Sequence, residues 1–254
     1  NGSSPLILID GIERNITYLS PEEVENVYVL KDAAATALYG YKGANGVVNI
    51  VTKRGKYKTN EIKFTYDHAF NWEARRPKFV NAYDYALGLN EAYVSDGKSP
   101  RYTEEELGYF KDGSNPYLYP NVDWYDEMFK KNAFAQRANF NIRGGNKKMD
   151  YFMSVGVKHS DGNLNSLSEK YGFSYNNNIN VTNYDFINNL NVQATPTTKL
   201  SLGLNASIKD WKGPNASTSS LFASTMEHNP VDYPVSFPAG YGYDTEDIMW
   251  GDKS

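Results

Sequence analysis

The chain has 254 residues, with 26 Lys and Arg against 30 Asp and Glu for a formal charge of −4. Such balance excludes a nucleic-acid surface, which is basic, and the absence of Cys excludes a disulfide scaffold, a zinc–thiolate site and a thiol nucleophile. Only 40% of the residues are hydrophobic, yet 21 are Tyr and 12 are Phe, a mixture suited to a surface half wet and half apolar.

The chain lacks the start of a leader peptide, and both ends read as cut, so a fragment of a longer protein is expected. Residues 1–56 read as a compact α/β segment. Leu6-Ile7-Leu8-Ile9 is a short apolar strand closed by the turn signal Asp10-Gly11. Ser20-Pro21-Glu22-Glu23 predicts a helix start, with Ser20 as N-cap and Glu23 completing a capping box. A strand follows at Val27-Tyr28-Val29-Leu30. Asp32 is placed to cap a second helix over 33–39, which Gly40 ends. Gly43-Ala44-Asn45-Gly46 then turns into a strand over 47–51.

From residue 57 the texture changes to alternation of period two, which marks strands with one apolar face. The segments are about 61–72, 135–143, 150–159, 186–194 and 199–210. In the first, Ile62, Phe64, Tyr66, Phe70 and Trp72 oppose Lys63, Thr65, Asp67 and Asn71. In the second, Ala138, Phe140 and Ile142 oppose Arg137, Asn139, Asn141 and Arg143. In the last, Leu200, Leu202, Leu204 and Ile208 oppose Ser201, Asn205, Ser207 and Lys209.

The polar faces are poor in anything that fills a core, and each segment is about the length of a tilted bilayer-crossing strand. No run of roughly 18 apolar residues exists for a transmembrane helix, which says nothing against alternating strands. Connections alternate between tight turns, 144–149 and 195–198, and long loops, 73–134, 160–185 and 211–254. That asymmetry favours an outer-membrane barrel over a soluble sandwich. On this reading Arg137, Asn139, Asn141 and Arg143 face the lumen, where they hold a plug or line a substrate path. Within the first long loop, residues 81–92 read as a short amphipathic helix, and Thr103-Glu104-Glu105-Glu106 as another helix start.

Chemistry is sparse. Asp123, Asp126 and Glu127 crowd one short segment and read as a packed loop stem rather than a carboxylate pair across a substrate. Asp244, Glu246 and Asp247 lack a calcium-loop pattern, and His68, His159 and His228 lack ligand spacing. The glycines of 40–46 are not followed by Lys-Ser/Thr, so they form a tight turn and not a phosphate loop. No enzyme, cofactor or metal is expected. Lys31-Asp32 has two readings, a helix cap beside a surface lysine or a plug–barrel ionic latch. The loop aromatics Tyr102, Tyr117, Tyr119 and Trp124 offer flat faces for ligand or partner contacts. Trp72 and Trp211, at strand ends on the long-loop side, read as girdle residues.

Three blocks carry a family resemblance: Pro5-Leu6-Ile7-Leu8-Ile9-Asp10-Gly11, then Val29-Leu30-Lys31-Asp32 through Ala37-Leu38-Tyr39-Gly40, then Gly43-Ala44-Asn45-Gly46-Val47 through Lys53. They closely resemble the SusC/RagA family of TonB-dependent outer-membrane transporters of Bacteroidetes. Asp123-Trp124 and Asn141-Ile142-Arg143-Gly144-Gly145 are similar to its barrel segments. Tyr41-Lys42 stands where the family often has Ser-Arg, so a basic residue is kept. The resemblance implies that 1–56 is the C-terminal half of an α+β plug, carrying the motif residues Lys31, Asp32, Tyr39, Gly40, Gly43, Asn45 and Gly46. It implies that 57–254 holds the first five strands of a large antiparallel barrel of ~22 strands. It also implies import of an oligosaccharide or peptide across the bacterial outer membrane. The implied partners are a SusD-like surface lipoprotein, TonB, through a segment outside this sequence, and outer-membrane lipid. Alternatives are a siderophore or cobalamin receptor of the same architecture, or a surface glycan-binding or adhesin β-protein.

Overall fold

The computed structural model describes residues 4–31, 38–58, 60–166, 174, 176–238 and 249–250. These fall into two units, each interrupted in sequence by the other. One contains Asn1–Asn71, Phe134–Gly162 and Asn180–Lys212, and the other Trp72–Ala133, Asn163–Ile179 and Gly213–Ser254.

The first unit opens with a small mixed sheet of β1 (Leu6–Ile9), β2 (Ile12–Glu13), β3 (Val24–Leu30) and β4 (Val47–Thr52), in the order β2-β1-β4-β3. β1 runs parallel to β4 and β3 antiparallel to it, burying Leu8, Ile9, Val47 and Ile50. Asp10 turns the chain at φ 51, a conformation that Asp tolerates better than most residues. Its carboxylate accepts from the Thr52 amide at 3.0 Å and from Thr52 Oγ1 at 2.5 Å. The helix expected from Ser20 is a single 3-10 turn, Pro21–Glu23, because β3 begins at the next residue and pairs with β4. Asp32 and most of the helix expected over 33–39 lie outside the described residues. Gly40, at φ 59, opens the 3-10 turn Gly40–Gly43.

The second sheet of this unit follows the sequence order β5 (Asn60–Trp72), β6 (Asn132–Gly145), β7 (Met149–Asp161), β8 (Asn180–Gln193) and β9 (Lys199–Lys212). β6 to β9 pair antiparallel with continuous register. The strands outrun their alternating segments, most of all β8, which starts at Asn180. There both faces carry polar residues, so alternation fades although pairing continues. One face holds the levels Arg143–Phe152–Asn189–Gly203, Asn141–Ser154–Ile187–Asn205 and Asn139–Gly156–Asp185–Ser207. On it Asn139, Ser154 and Asn189 are buried, with Phe152 and Ile187 as apolar fillers. The opposite face exposes Ile62, Phe64, Phe140, Val155, Leu202 and Ile208. Polar groups in and apolar groups out is the reverse of a water-soluble sheet and suits a barrel wall in lipid. By register Trp211 shares the face of Lys209, Ser207 and Asn205. The girdle expectation for Trp211 is thereby corrected, because a strand's faces alternate whatever lies at its end.

The second unit is helical: α1 (Ala82–Ser95), α2 (Glu104–Asp112), α3 (Trp124–Met128) and α4 (Thr218–Glu227), with a short ribbon of β10 (Ser236–Phe237) and β11 (Met249–Trp250). Asn81 caps α1 by accepting from the Asp84 amide at 2.8 Å. Thr103 and Glu106 form a capping box on α2, and Gly113 ends it at φ 67. Ala82, Ala86, Leu107, Phe110 and Val231 make one core cluster and Tyr125, Phe129 and Leu164 another.

Candidate functional site

The buried polar face of β6–β8 is where the α/β segment is held. Arg137 Nη2 lies 3.2 Å from Glu22 Oε1 and 2.6 Å from Asp67 Oδ2 of β5. Arg143 reaches Glu25 Oε2 with Nη2 at 3.1 Å and donates from Nε to the Arg54 carbonyl at 2.6 Å. Asn189 Nδ2 donates to Thr52 Oγ1 and to the Lys53 carbonyl, both at 2.9 Å. These are charge-assisted or doubled contacts, the stronger kind.

Between the two arginines runs a relay of amides. Asn141 Nδ2 donates to Asn139 Oδ1, and Asn139 Nδ2 to Ser154 Oγ, each at 2.9 Å. Ser154 stands beside the Glu23 carboxyl, whose Oε2 accepts from the Ser20 amide at 2.9 Å while its buried Oε1 has no hydrogen-bond partner among the described residues. Glu23 is wholly buried, at 0% exposure. Burial pushes its carboxyl above the usual range, and Ser154 and the Ser20 hydrogen bond only partly oppose that rise. Glycines allow the close approach. A Cβ on Gly55 would collide with the Tyr151 amide nitrogen and come within 2.5 Å of Asp150 Cβ.

All four residues expected on the lumen face thus bear on the segment, Arg137 and Arg143 directly, Asn139 and Asn141 through Ser154. Of their partners, Glu22 and Glu23 were read from sequence only as part of a helix start, and Glu25 and Asn189 were not singled out. The motif residues do something else. Gly46 stands at φ 91 with the Leu30 carbonyl 3.2 Å from where a Cβ would be, and its own carbonyl accepts from the Leu6 amide at 3.0 Å. Gly43 is buried, Asn45 and Lys31 are exposed and Tyr39 is half-buried. Lys42, the retained basic residue, pairs with Glu13 at 2.6 Å. These are turn-making roles; the latch reading of Lys31-Asp32 turns on Asp32, outside the described residues.

In the helical unit the aromatics pack on one another. Tyr102 meets Phe110 edge-on at 5.2 Å, Tyr119 stacks on Tyr109 at 5.0 Å, and Tyr117 lies 6.1 Å from Phe237. Trp124 sits 4.9 Å from Tyr233 and donates from Nε1 to the Asn229 carbonyl at 3.1 Å. Asp123 caps α3, while Asp126 and Glu73 clamp Arg76 over the Tyr125 ring, the packed stem that sequence predicts. His68 lies beside Phe70 and Phe134, His159 beside Thr182 and Asp161, and His228 beside Tyr233. Asp244, Glu246 and Asp247 lie outside the described residues. Among the described residues no group of three or more metal-ligating side chains converges.

Residues 1–47 match the family described as TonB-dependent Receptor Plug Domain. The chain is 28% identical over 171 residues to the TonB-dependent receptor SusC of Bacteroides thetaiotaomicron, covering 63% of this chain and 15% of that one. To the TonB-dependent receptor P39 of Formosa agariphila it is 54% identical over 56 residues, 22% of this chain and 5% of the other. The solved RagAB peptide transporter shares its fold over 98% of this chain and 30% of that one, at TM-score 0.68 and 21% identity. Residues 1–47 are thus plug-like, and the chain is similar to the SusC- and RagA-type TonB-dependent receptors. Its β1–β4 segment is plug, its β5–β9 sheet is barrel wall, and its place is the bacterial outer membrane. It spans only about 15% of SusC.

Proposed function

We propose that the whole receptor imports an oligosaccharide or peptide too large for passive pores. It would do so as the transporter subunit beside a SusD-like surface lipoprotein, with TonB supplying the work from the periplasm. Residues 1–56 are the C-terminal half of the plug, and 57–254 the first five wall strands with their long loops. The observation that carries this reading is the set of plug acids tied to the lumen face by Arg137 and Arg143. Such a plug closes a lumen by many separable polar contacts, which hold at rest and break in succession under load. The relatives named for SusC and for peptide transport by RagAB support the ligand class and the lipoprotein partner. The motif residues of 39–46 keep the plug's turn, and Tyr102, Tyr117, Tyr119 and Trp124 shape the loop unit that meets ligand or partner. An enzymatic role has no nucleophile–base pair to support it among the described residues. The test is gene deletion with complementation, scored as uptake of glycan and peptide, together with isolation of the native complex. Undiminished uptake of both would sink the import reading, and a complex free of any lipoprotein would sink the partner.

A further inference from the structure

The segment that leads out of the plug, residues 53–58, meets the wall differently from the plug body of β1 to β4. The body touches the wall through side chains: Glu22 with Arg137, Glu25 with Arg143, and the Thr52 hydroxyl with Asn189. The exit segment touches it with its backbone. The Lys53 carbonyl accepts from Asn189 Nδ2 at 2.9 Å, and the Arg54 carbonyl from Arg143 Nε at 2.6 Å. Lys58 donates its amide to the Gly145 carbonyl at 3.0 Å. These partners stand on β6 and β8, which flank β7 in the interior of the sheet.

Two glycines permit so close an approach. A Cβ on Gly55 would overlap the Asp150–Tyr151 backbone of β7, and one on Gly145 would crowd Asp150 and the Lys56 carbonyl. Main chain thus lies directly on main chain. Parting the two by less than the width of a water forfeits dispersion contacts with nothing to replace them. Lys58 sits at φ 56, a left-handed conformation that costs a lysine energy and persists only where its surroundings impose it.

Where a movable part of the plug ends follows from what its departure leaves on the wall. Arg137 holds Glu22 and also Asp67 of β5. Arg143 holds Glu25 and also the Arg54 carbonyl, and Asn189 holds the Thr52 hydroxyl and also the Lys53 carbonyl. If the body lifts up to Thr52 and the exit segment stays, each of these wall residues keeps a partner. If the exit segment lifts as well, Arg143 and Asn189 lose both of theirs. Asn189 is buried, and a buried polar or charged group stripped of its partners is costly. Within the plug, the boundary breaks the bond from the Lys53 amide to the Glu23 carbonyl and the ion pair of Arg54 with Asp10. We propose that residues 53–58 are a fixed anchor, about which the plug body swings off the wall and reseats. This rests on the import reading above, which supplies the load. Arg143 and Asn189, still held by the anchor, keep their positions for the returning Glu25 and Thr52.

The test uses the full-length receptor. In lipid nanodiscs, hydrogen exchange is followed as urea is raised. Protection of residues 53–58 should persist beyond the urea concentration that opens β1, β3 and β4, and be lost only with β7. Opening of 53–58 together with β4 overturns the anchor, whatever the receptor imports. Gly55→Ala should make 53–58 open with β4 and leave β6 to β9 unchanged; an unaltered exit segment overturns the close seating. In cells, two double variants carry cysteines for a flexible bismaleimide: K56C with K147C across the anchor, and E22C with R137C across the body. Uptake is scored before and after linking, on whichever of maltodextrin, inulin, xylan and a tryptic casein digest a gene deletion no longer takes up. Linking 22 to 137 should abolish uptake, and linking 56 to 147 should leave it unchanged. Uptake lost on the second link, or kept on the first, overturns the swing about 53–58. A deletion that still takes up all four overturns the import reading, and the urea series then decides the anchor alone.

Discussion

The wall strands and the helical unit solve opposite problems with one alphabet. In the helical unit Ala82, Ala86, Leu107 and Phe110 are buried and Glu104, Glu105 and Asp112 of α2 are exposed. In the wall, Asn139, Asn141, Ser154 and Asn189 are buried while Leu202, Leu204 and Ile208 face outward. The helical unit is held by expulsion of apolar surface from water. The wall gains nothing from that on its lipid side, so its inner side is held mainly by hydrogen bonds between buried polar groups. Amino-acid composition therefore does not tell how well a region is packed until the solvent on each face is known.

Substitutions can break this contrast in order of size. Phe110→Ala should cost the helical unit about 3–5 kcal/mol, as for a large core ring. It should appear as faster hydrogen exchange in α1 and α2 with the wall unchanged; equal loss in both would contradict separate cores. Leu204→Arg, on the lipid face, should cost ~2–4 kcal/mol if its level is near midplane. Heat-modifiability of the full-length receptor on gels reads this, and a neutral result would mean that the face is not in lipid. Arg143→Ala strips Glu25 and the Arg54 carbonyl of a charged donor, about 1.5–3 kcal/mol. Residues 20–30 and 50–58 should become protease-sensitive while the barrel stays folded.

The last effect is a pH dependence. Glu23 has a raised folded-state pKa, so its contribution is full below the ordinary carboxylate value and is lost as pH rises through the folded value. Protection factors of residues 20–30, taken against the intrinsic exchange rate at each pH, should fall from acid to neutral pH in the wild type, and Glu23→Gln should flatten that slope. A slope that survives Glu23→Gln would place the titration on another group.

Much of the architecture could be read from local pattern. Period-two alternation located β5 to β9, and Asn81 and Thr103 announced α1 and α2, because each signal sits within a few residues of what it specifies. The plug acids were opaque for the same reason. Glu22 and Arg137 are 115 positions apart, and Glu23 carries the local signature of a capping box, which hides its contact with Ser154. The single 3-10 turn at Pro21–Glu23 shows pairing overriding a cap signal, since β3 claims Val24 onward. Trp211 was readable by parity with Lys209, yet its place at a strand end suggests a girdle.

The amide relay works as an index as well as a tie. Asn141 donates to Asn139 and Asn139 to Ser154, and the series ends beside the Glu23 carboxyl. Were the plug to slip so that Val24 stood in place of Glu23, the Ser154 hydroxyl would face an apolar side chain instead of a carboxyl. The relay thus ties the wall to one particular residue of the plug as well as to the plug in general.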